Sequence, residues 1–398
     1  MLGGYKVLDL SGRLGWLAGR VLVDLGADVI KVERPGVDRE DADWRAFNIG
    51  KRLLILDVTV EAGREAILAA VPRVDVLIES AAPDGPEADW LDPERLAELN
   101  PELIHVSVTP YGRTGPRAGW RGGDLEIMAA GGAMSIVGEP DGRPLRNSVP
   151  QSYAWAGAHA AAGALVALNN RSAGGGGQHV DVSAQASIVT SLAHAPTFVD
   201  MLGVVPGRVG SGISGRSVHG GTYRAFWRCK DGYINFIVYG GPAGRRTNKA
   251  LVEWMGEKAL DLGALAEIDW DTYDPILADQ AEIDRLEAPM ATFFESVTKA
   301  EFLDGAFRRE MLGYPVSTVA DIAADPQLTA REFWRDLPSR DGGSERHCGA
   351  FYRADGVRPE LSNAAAGKDG DARDILLELG LLETQIESLE DKQVVQAE

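Results

Sequence analysis

Over residues 1–110, short β-branched runs alternate with stretches of helical spacing, and this alternation restricts the chain to a small set of architectures. Residues 6–10 (KVLDL), 28–33 (DVIKVE), 53–57 (LLILD), 75–79 (DVLIE) and 103–108 (LIHVSV) read as strands. Three of them are almost wholly apolar at their centres, the mark of a parallel sheet covered on both faces. Residues 17–25, 61–70 and 93–99 between them read as helices, the last opened by Asp92 as N-cap and Pro93 in its first turn. Strand–helix alternation of this kind predicts an α/β fold with a doubly wound sheet.

Beyond residue 110 the pattern loosens. Residues 112–150 are rich in Gly, Pro and Arg and are expected to be irregular. A small-residue helix is predicted over 154–169, where Ala and Gly let another backbone approach closely, then a strand over 179–183 (HVDVS) and a helix over 185–202. Residues 204–222 read as a glycine-rich linker. From Tyr223 a β-hairpin with a Lys-Asp-Gly turn precedes helices of mixed charge, which predicts a smaller α+β domain over 223–312. Residues 313–398 are expected to rejoin residues 1–203 in the large domain, with 375–389 (ILLELGLLETQIESL) as a docking helix.

The composition narrows the function. A formal net charge of −19 argues against nonspecific nucleic-acid binding, which needs basic patches to displace counterions. It leaves room for an anionic small molecule held by a few local Arg and Lys. No apolar run has the length of a membrane span, and the N-terminus lacks the pattern of a secretory signal. Cys229 and Cys348 are the only cysteines, which suits a reducing cytoplasm and neither a disulfide framework nor a zinc site. No His/Cys/carboxylate group has metal-ligand spacing. A dinucleotide-binding oxidoreductase is disfavoured, because residues 11–15 (SGRLG) do not form GxGxxG after the first strand.

Several stretches fall in one order along nearly the whole chain: 7–10 (VLDL), 25–35 (LGADVIKVERP), 48–57 (NIGKRLLILD), 111–116 (YGRTGP), 174–183 (GGGGQHVDVS), 230–233 (KDGY) and 325–331 (DPQLTAR). As a set they resemble the class III CoA-transferase family, which includes formyl-CoA transferases, carnitine-type CoA transferases and 2-methylacyl-CoA racemases. The resemblance implies a large Rossmann-like domain built from both chain ends, a smaller inserted domain, and two subunits interlocked as a dimer. It also implies that coenzyme A or an acyl-CoA is bound as substrate rather than as a permanent cofactor, with a small carboxylate as acceptor.

CoA carries phosphates that call for cationic donors and an adenine that calls for an apolar slot. By resemblance Arg34, at the C-terminal end of the second strand, contacts CoA. Asn48 and Lys51 match a second contact segment. Arg121 matches a phosphate-contacting lysine, and an arginine can serve there with two hydrogen bonds. Ser80, with Ala81, stands where the family has Asn-Phe, and Trp16-Leu17 replaces Gly-Pro, so the adenine contacts are expected to be altered. Gly240 and Gly241, within 239–246 (YGGPAGRR), resemble a mobile loop that shields the reacting thioester; a plain hairpin exit is the alternative.

The chemistry is where this sequence departs from the family. Class III transferases use an aspartate carboxylate that attacks the thioester, forms a mixed anhydride and releases CoA thiolate. Counting back from Gly157 places that aspartate at Tyr153, and residues 149–162 contain no Asp or Glu. A phenol titrates near pH 10 and is a poor substitute. Tyr153 either fills the space or, as a neutral hydroxyl, donates a hydrogen bond to a thioester carbonyl. The racemase pattern is broken too, because its Gly-His-Asp triplet reads Gly122-Gly123-Asp124. Asp124 is the remaining acid, as a general base or as a structural or CoA-orienting carboxylate. Three readings follow. The chain is a transferase with a displaced nucleophile, active as a homodimer. It isomerises or racemises an acyl-CoA without an aspartyl intermediate. Or it is the non-catalytic subunit of a heterodimer whose sister subunit carries the aspartate.

Overall fold

A computed structural model describes residues 1–339, 343–356 and 372–396; the other positions of the 313–398 span fall outside that description. The chain forms two compact units. The first comprises Met1–Met134, Arg146–Val205 and Pro326–Glu398, and the second Ser135–Leu145 and Pro206–Asp325.

The first unit is built on β1 (Lys6–Asp9), α1 (Trp16–Asp24), β2 (Asp28–Glu33), α2 (Ala42–Asn48), β3 (Arg52–Leu56), α3 (Glu61–Ala70), β4 (Val76–Glu79), α4 (Pro93–Leu99), β5 (Ile104–Thr109), α5 (Asp124–Ala130), α6 (Ser152–Asn170), β6 (Gln178–Ser183), α7 (Ala184–Ser191) and α8 (His194–Leu202). The six strands are parallel in the order β3-β2-β1-β4-β5-β6, and Val395–Gln396 adds an antiparallel edge to β3. Alternate residues of the strands face opposite layers. Val7, Val29, Val76, Ile104 and Val106 pack with Leu22 of α1 and Ala156, Ala160 and Ala164 of α6. Leu8, Ile30, Leu54 and Leu77 pack on the other side with Ile67 of α3, Leu96 of α4 and Ile375 and Leu376 near the C-terminus.

Beneath α1 the end of β1, the middle of β2 and the turn before β3 meet at a buried charge cluster. The Lys51 ammonium donates to Asp9 Oδ2 at 2.8 Å, to the Trp16 carbonyl at 2.9 Å and to Asn48 Oδ1 at 2.8 Å. Lys31 donates to the carbonyls of Ser11, Val32 and Asp9 and lies 3.3 Å from Glu33. Asp9 Oδ1 accepts from the Ser11 amide and hydroxyl at 2.9 and 2.6 Å. Helix α1 approaches so closely that a Cβ on Gly19 would stand 2.4 Å from Asp9 Oδ2. Burial alone would raise the Asp9 carboxyl, but Lys51 and Lys31 outweigh it and hold Asp9 below the usual carboxylate range. Burial pushes the Lys51 ammonium down to about 8 against the pull of Asp9.

The second unit has its own aromatic core of Trp227, Phe236, Trp254, Phe293, Phe294 and Phe302. Strands Phe226–Cys229 and Gly232–Asn235 form the predicted hairpin across Lys230-Asp231, and Tyr314–Pro315 extends it on the Gly232–Asn235 side. Helices α9 (Gly241–Glu257), α10 (Gln280–Glu295) and α11 (Lys299–Arg308) cover it. This unit is larger than the predicted 223–312. The 204–222 stretch is largely part of it, because Gly212–Ile213 pairs with Tyr223–Arg224 and Ser217 donates to the Ala278 carbonyl at 2.6 Å. Arg208 fixes residues 135–145 by donating to the carbonyls of Ser135, Glu139 and Gly142. The return to the first unit comes at Pro326, later than the expected residue 313.

Other expectations also shift. The stretch 112–150 contains helix α5, whose N-cap amide, Gly123 N–H, is accepted by the Glu126 carboxylate at 2.9 Å. The predicted helix 185–202 breaks into α7 and α8, and the docking helix splits into Ala372–Glu378 and Glu383–Asp391 around Gly380, whose φ of +92° is left-handed.

Lys51→Met leaves Asp9 buried without its closest cation and is expected to cost about 3–5 kcal/mol in denaturant unfolding. Because Lys51 titrates near 8 folded and 10.5 unfolded, the unfolded chain binds more protons in that window, and the wild type gains stability there. The deficit of the variant should therefore widen as pH rises above about 8.

Candidate functional site

The strand order reverses between β1 and β4, and open α/β sheets bind ligands at such a switch point, outside the carboxyl ends of the strands. A cleft of about 530 Å³ lies there. Ser11 and Gly12 follow β1, Glu33 and Arg34 end β2, and Glu79, Ser80 and Ala81 end β4; Glu87 and Trp90, on the loop before α4, complete its wall. Arg34 and Ser80 are thus brought together. Ser80 Oγ accepts the Gly12 amide at 2.7 Å, which ties the loops after β1 and β4 and leaves the hydroxyl proton free to donate outward. Arg34 is the only Lys or Arg among the described residues lining this cleft, and its Nη2 donates to Glu87 Oε1 at 2.8 Å. Glu33 is engaged by the Trp44 indole at 2.9 Å and by Lys31.

Asn48 and Lys51 do not line the cleft. Both are buried, and their side chains are committed to each other, to Asp9 and to the carbonyls of Trp44 and Trp16, so the expected ligand contact is replaced by a structural one. Arg121 is exposed just before α5 and is likewise outside the cleft lining. Gly240 and Gly241 belong to the second unit. Gly240 is the N-cap of α9 and Gly241 its first residue, so the expected mobile loop is the start of a 17-residue helix; Pro242 in the first turn favours that start.

Tyr153 and Asp124 meet at the beginning of α6. Asp124 Oδ1 accepts from the amides of Gln151 and Ser152 at 2.9 and 3.0 Å and from the Ser152 hydroxyl at 2.8 Å. The carboxylate therefore neutralises the positive end of α6 across the chain, as a cap would. Its other oxygen lies 3.9 Å from Arg146. The Tyr153 hydroxyl accepts the Asp124 amide at 3.1 Å, capping α5 in turn. The two side chains form a reciprocal clasp between two helix N-termini.

A polar cluster that sequence reasoning did not single out adjoins the cleft through Glu79. Glu79 Oε1 is 3.5 Å from both His105 Nε2 and Arg113 Nη1, and Ser107 Oγ is 2.9 Å from His179 Nε2. Burial, then His105 and Arg113, push the His179 imidazole down to about 4. It stays neutral at neutral pH; because the residue is exposed on β6, solvent screening leaves only a small loss of stability as pH falls from 6.5 towards 4. Among the described residues no group of three or more His, Cys, Asp or Glu can hold a metal ion.

The model of CoA-transferase family III matches residues 2–369. The chain belongs to this family. Among class III relatives, succinyl-CoA:(R)-benzylsuccinate CoA-transferase subunit BbsE of Thauera aromatica is 30% identical over 97% of this chain and 96% of its own length. Succinate–glutarate CoA-transferase of Agrobacterium fabrum is 29% identical over 86% of each chain. A crystal structure of a CAIB/BAIF family protein from Brucella suis superposes with a TM-score of 0.77 at 28% identity, covering 95% of this chain and 99% of that one. These matches bear out the class III resemblance and a mixed α/β fold with a large, mainly parallel sheet.

Asp124→Ala removes three hydrogen bonds from the α6 N-terminus and is expected to cost about 2 kcal/mol in thermal or urea unfolding. Asp124→Asn keeps an acceptor and should cost clearly less.

Proposed function

We propose that this chain is the CoA-binding subunit of a heteromeric class III CoA transferase, in which a sister subunit supplies the aspartate nucleophile. The reaction moves CoA from an acyl-CoA thioester to a small carboxylate. The sister's carboxylate attacks the thioester carbonyl, the C–O bond of a mixed anhydride forms, the C–S bond breaks, and CoA leaves as thiolate. This chain contributes the β1–β4 cleft, with Arg34 for a phosphate and Ser80 as a hydroxyl donor.

The observation that carries this reading is the start of α6. Residues 149–162 contain no acid, and the nearest carboxylate, Asp124, has one oxygen taken by three donors. A homodimer would carry no acid on this turn in either copy. Two further features support a partner. Helix α8 has no buried residue and presents Phe198, Val199, Met201 and Leu202 to solvent, with Met201 73% exposed. The Thauera relative is itself named as a subunit. Free Cys229 and Cys348 support a reducing cytoplasm, and no described helix is long and apolar enough to cross a membrane.

The test is hydroxylamine trapping. The purified chain is incubated with a panel of acyl-CoAs and hydroxylamine, alone and with a sister subunit bearing an aspartate at the position equivalent to Tyr153, and hydroxamates are mapped by peptide mass spectrometry. The expected adduct lies on the sister subunit only. A hydroxamate on the isolated chain, at Asp124 or elsewhere, would establish a displaced nucleophile and sink the heteromeric reading.

A further inference from the structure

Among the described residues the cleft contains one cation and three carboxylates, an unfavourable balance for a ligand that carries phosphates. Two of the carboxylates are committed elsewhere. Glu33 is held by Trp44 and Lys31, and Glu79 is buried, with one oxygen accepting the Ala81 amide and the other facing His105 and Arg113. Glu87 differs. Its carboxylate is bound by Arg34 at 2.8 Å, with side chains 24% and 56% exposed respectively. The loop carrying Glu87 is anchored independently of that pair, because Ala88 donates to the Gly85 carbonyl and Leu91 to the carbonyl of Glu87. The carboxylate can therefore swing off Arg34 without unfolding its loop.

An ion pair this exposed contributes only about 0.2–1 kcal/mol, whereas a phosphate can take an arginine through two charge-assisted hydrogen bonds. We infer that Glu87 is an internal competitor for Arg34: it occupies the guanidinium in the free protein and is displaced by a phosphate of the ligand, so that it sets the affinity of the cleft for phosphorylated over unphosphorylated ligands. The inference rests on the reading that this cleft takes CoA. It adds a residue that pattern reasoning did not single out, in the stretch 81–91, where Gly, Pro and Asp leave no periodicity to mark it. It also gives the pair a chemical role. Held by Glu87, Arg34 is kept extended at the cleft wall and partly neutralised, so a ligand without phosphate meets no unpaired charge there.

Calorimetry with CoA and with pantetheine, which has no phosphate, tests this on the wild type, Glu87→Gln, Arg34→Gln and the double variant. Glu87→Gln should bind CoA about threefold to fivefold more tightly, the fold-change that corresponds to releasing a pair of up to about 1 kcal/mol. Its affinity should also fall more steeply with salt, since binding then forms a new ion pair instead of exchanging one. Pantetheine should bind both proteins alike. In the Arg34→Gln background the gain from Glu87→Gln should nearly vanish, because the two side chains act as a pair. If Arg34→Gln weakens CoA binding while Glu87→Gln leaves it unchanged or weaker, the competitor role is wrong and the cleft assignment stands. If the wild type binds no CoA, or Arg34→Gln binds it as the wild type does, both the competitor role and the cleft reading fall. Matched melting temperatures establish that each variant is folded.

Discussion

The first unit depends on a negative charge, Asp9, held in a buried interior by Lys31 of β2 and Lys51 of the turn into β3. Taking three charges out of water costs several kcal/mol per ion, and the arrangement is tolerable only because nearly every donor and acceptor is matched. The matching involves the end of β1, the middle of β2, the turn from α2 into β3, and the backbone at the start of α1. These segments cannot move independently. The cleft depends on that rigidity, since two of the loops that wall it emerge directly from the clamped ends of β1 and β2.

The same constraint explains why the Asn48–Lys51 stretch, one of three resemblance landmarks that meet here, matches a ligand segment and yet acts structurally. Asp9, Lys31 and Lys51 fall in VLDL, VIKVE and NxxK, which sequence alone reads as separate landmarks. In space they are one cluster, and Asn48 orients Lys51 within it. Lys51 attracts a binding assignment because, with Asn48, it matches a contact segment of the family it resembles. It is withdrawn from that role because Nζ turns inward beneath Gly19. Arg34, a few residues past Lys31, turns outward and keeps its place on the cleft wall.

Much of the sheet was legible because strands covered on both faces leave apolar runs, as in β3 and β4. Their order could not be read, since hydrogen bonding between strands far apart in sequence leaves no local trace. Helix α5 was missed because it starts among glycines, and its N-terminus is completed by Tyr153 from a different segment. That a tyrosine stands at position 153, where the resemblance implies an aspartate, was legible from a single letter. That Asp124 is engaged at the start of α6 was not, because its partners Gln151 and Ser152 lie far along the chain and meet it only through packing. The second unit grew beyond its predicted bounds for a similar reason: Arg208 gathers carbonyls from residues 135–142, a contact without periodicity.

We propose that the chain keeps a CoA cleft at the β1–β4 switch point without a carboxylate on the first turn of α6. Diffraction from crystals soaked with CoA tests it directly. Ligand density is expected beyond the carboxyl ends of β1, β2 and β4, with Arg34 turned from Glu87 onto a phosphate and Asp124 still on the α6 amides. Density elsewhere with this cleft empty, or Asp124 released from α6 and turned towards the thiol end of the ligand, would contradict it.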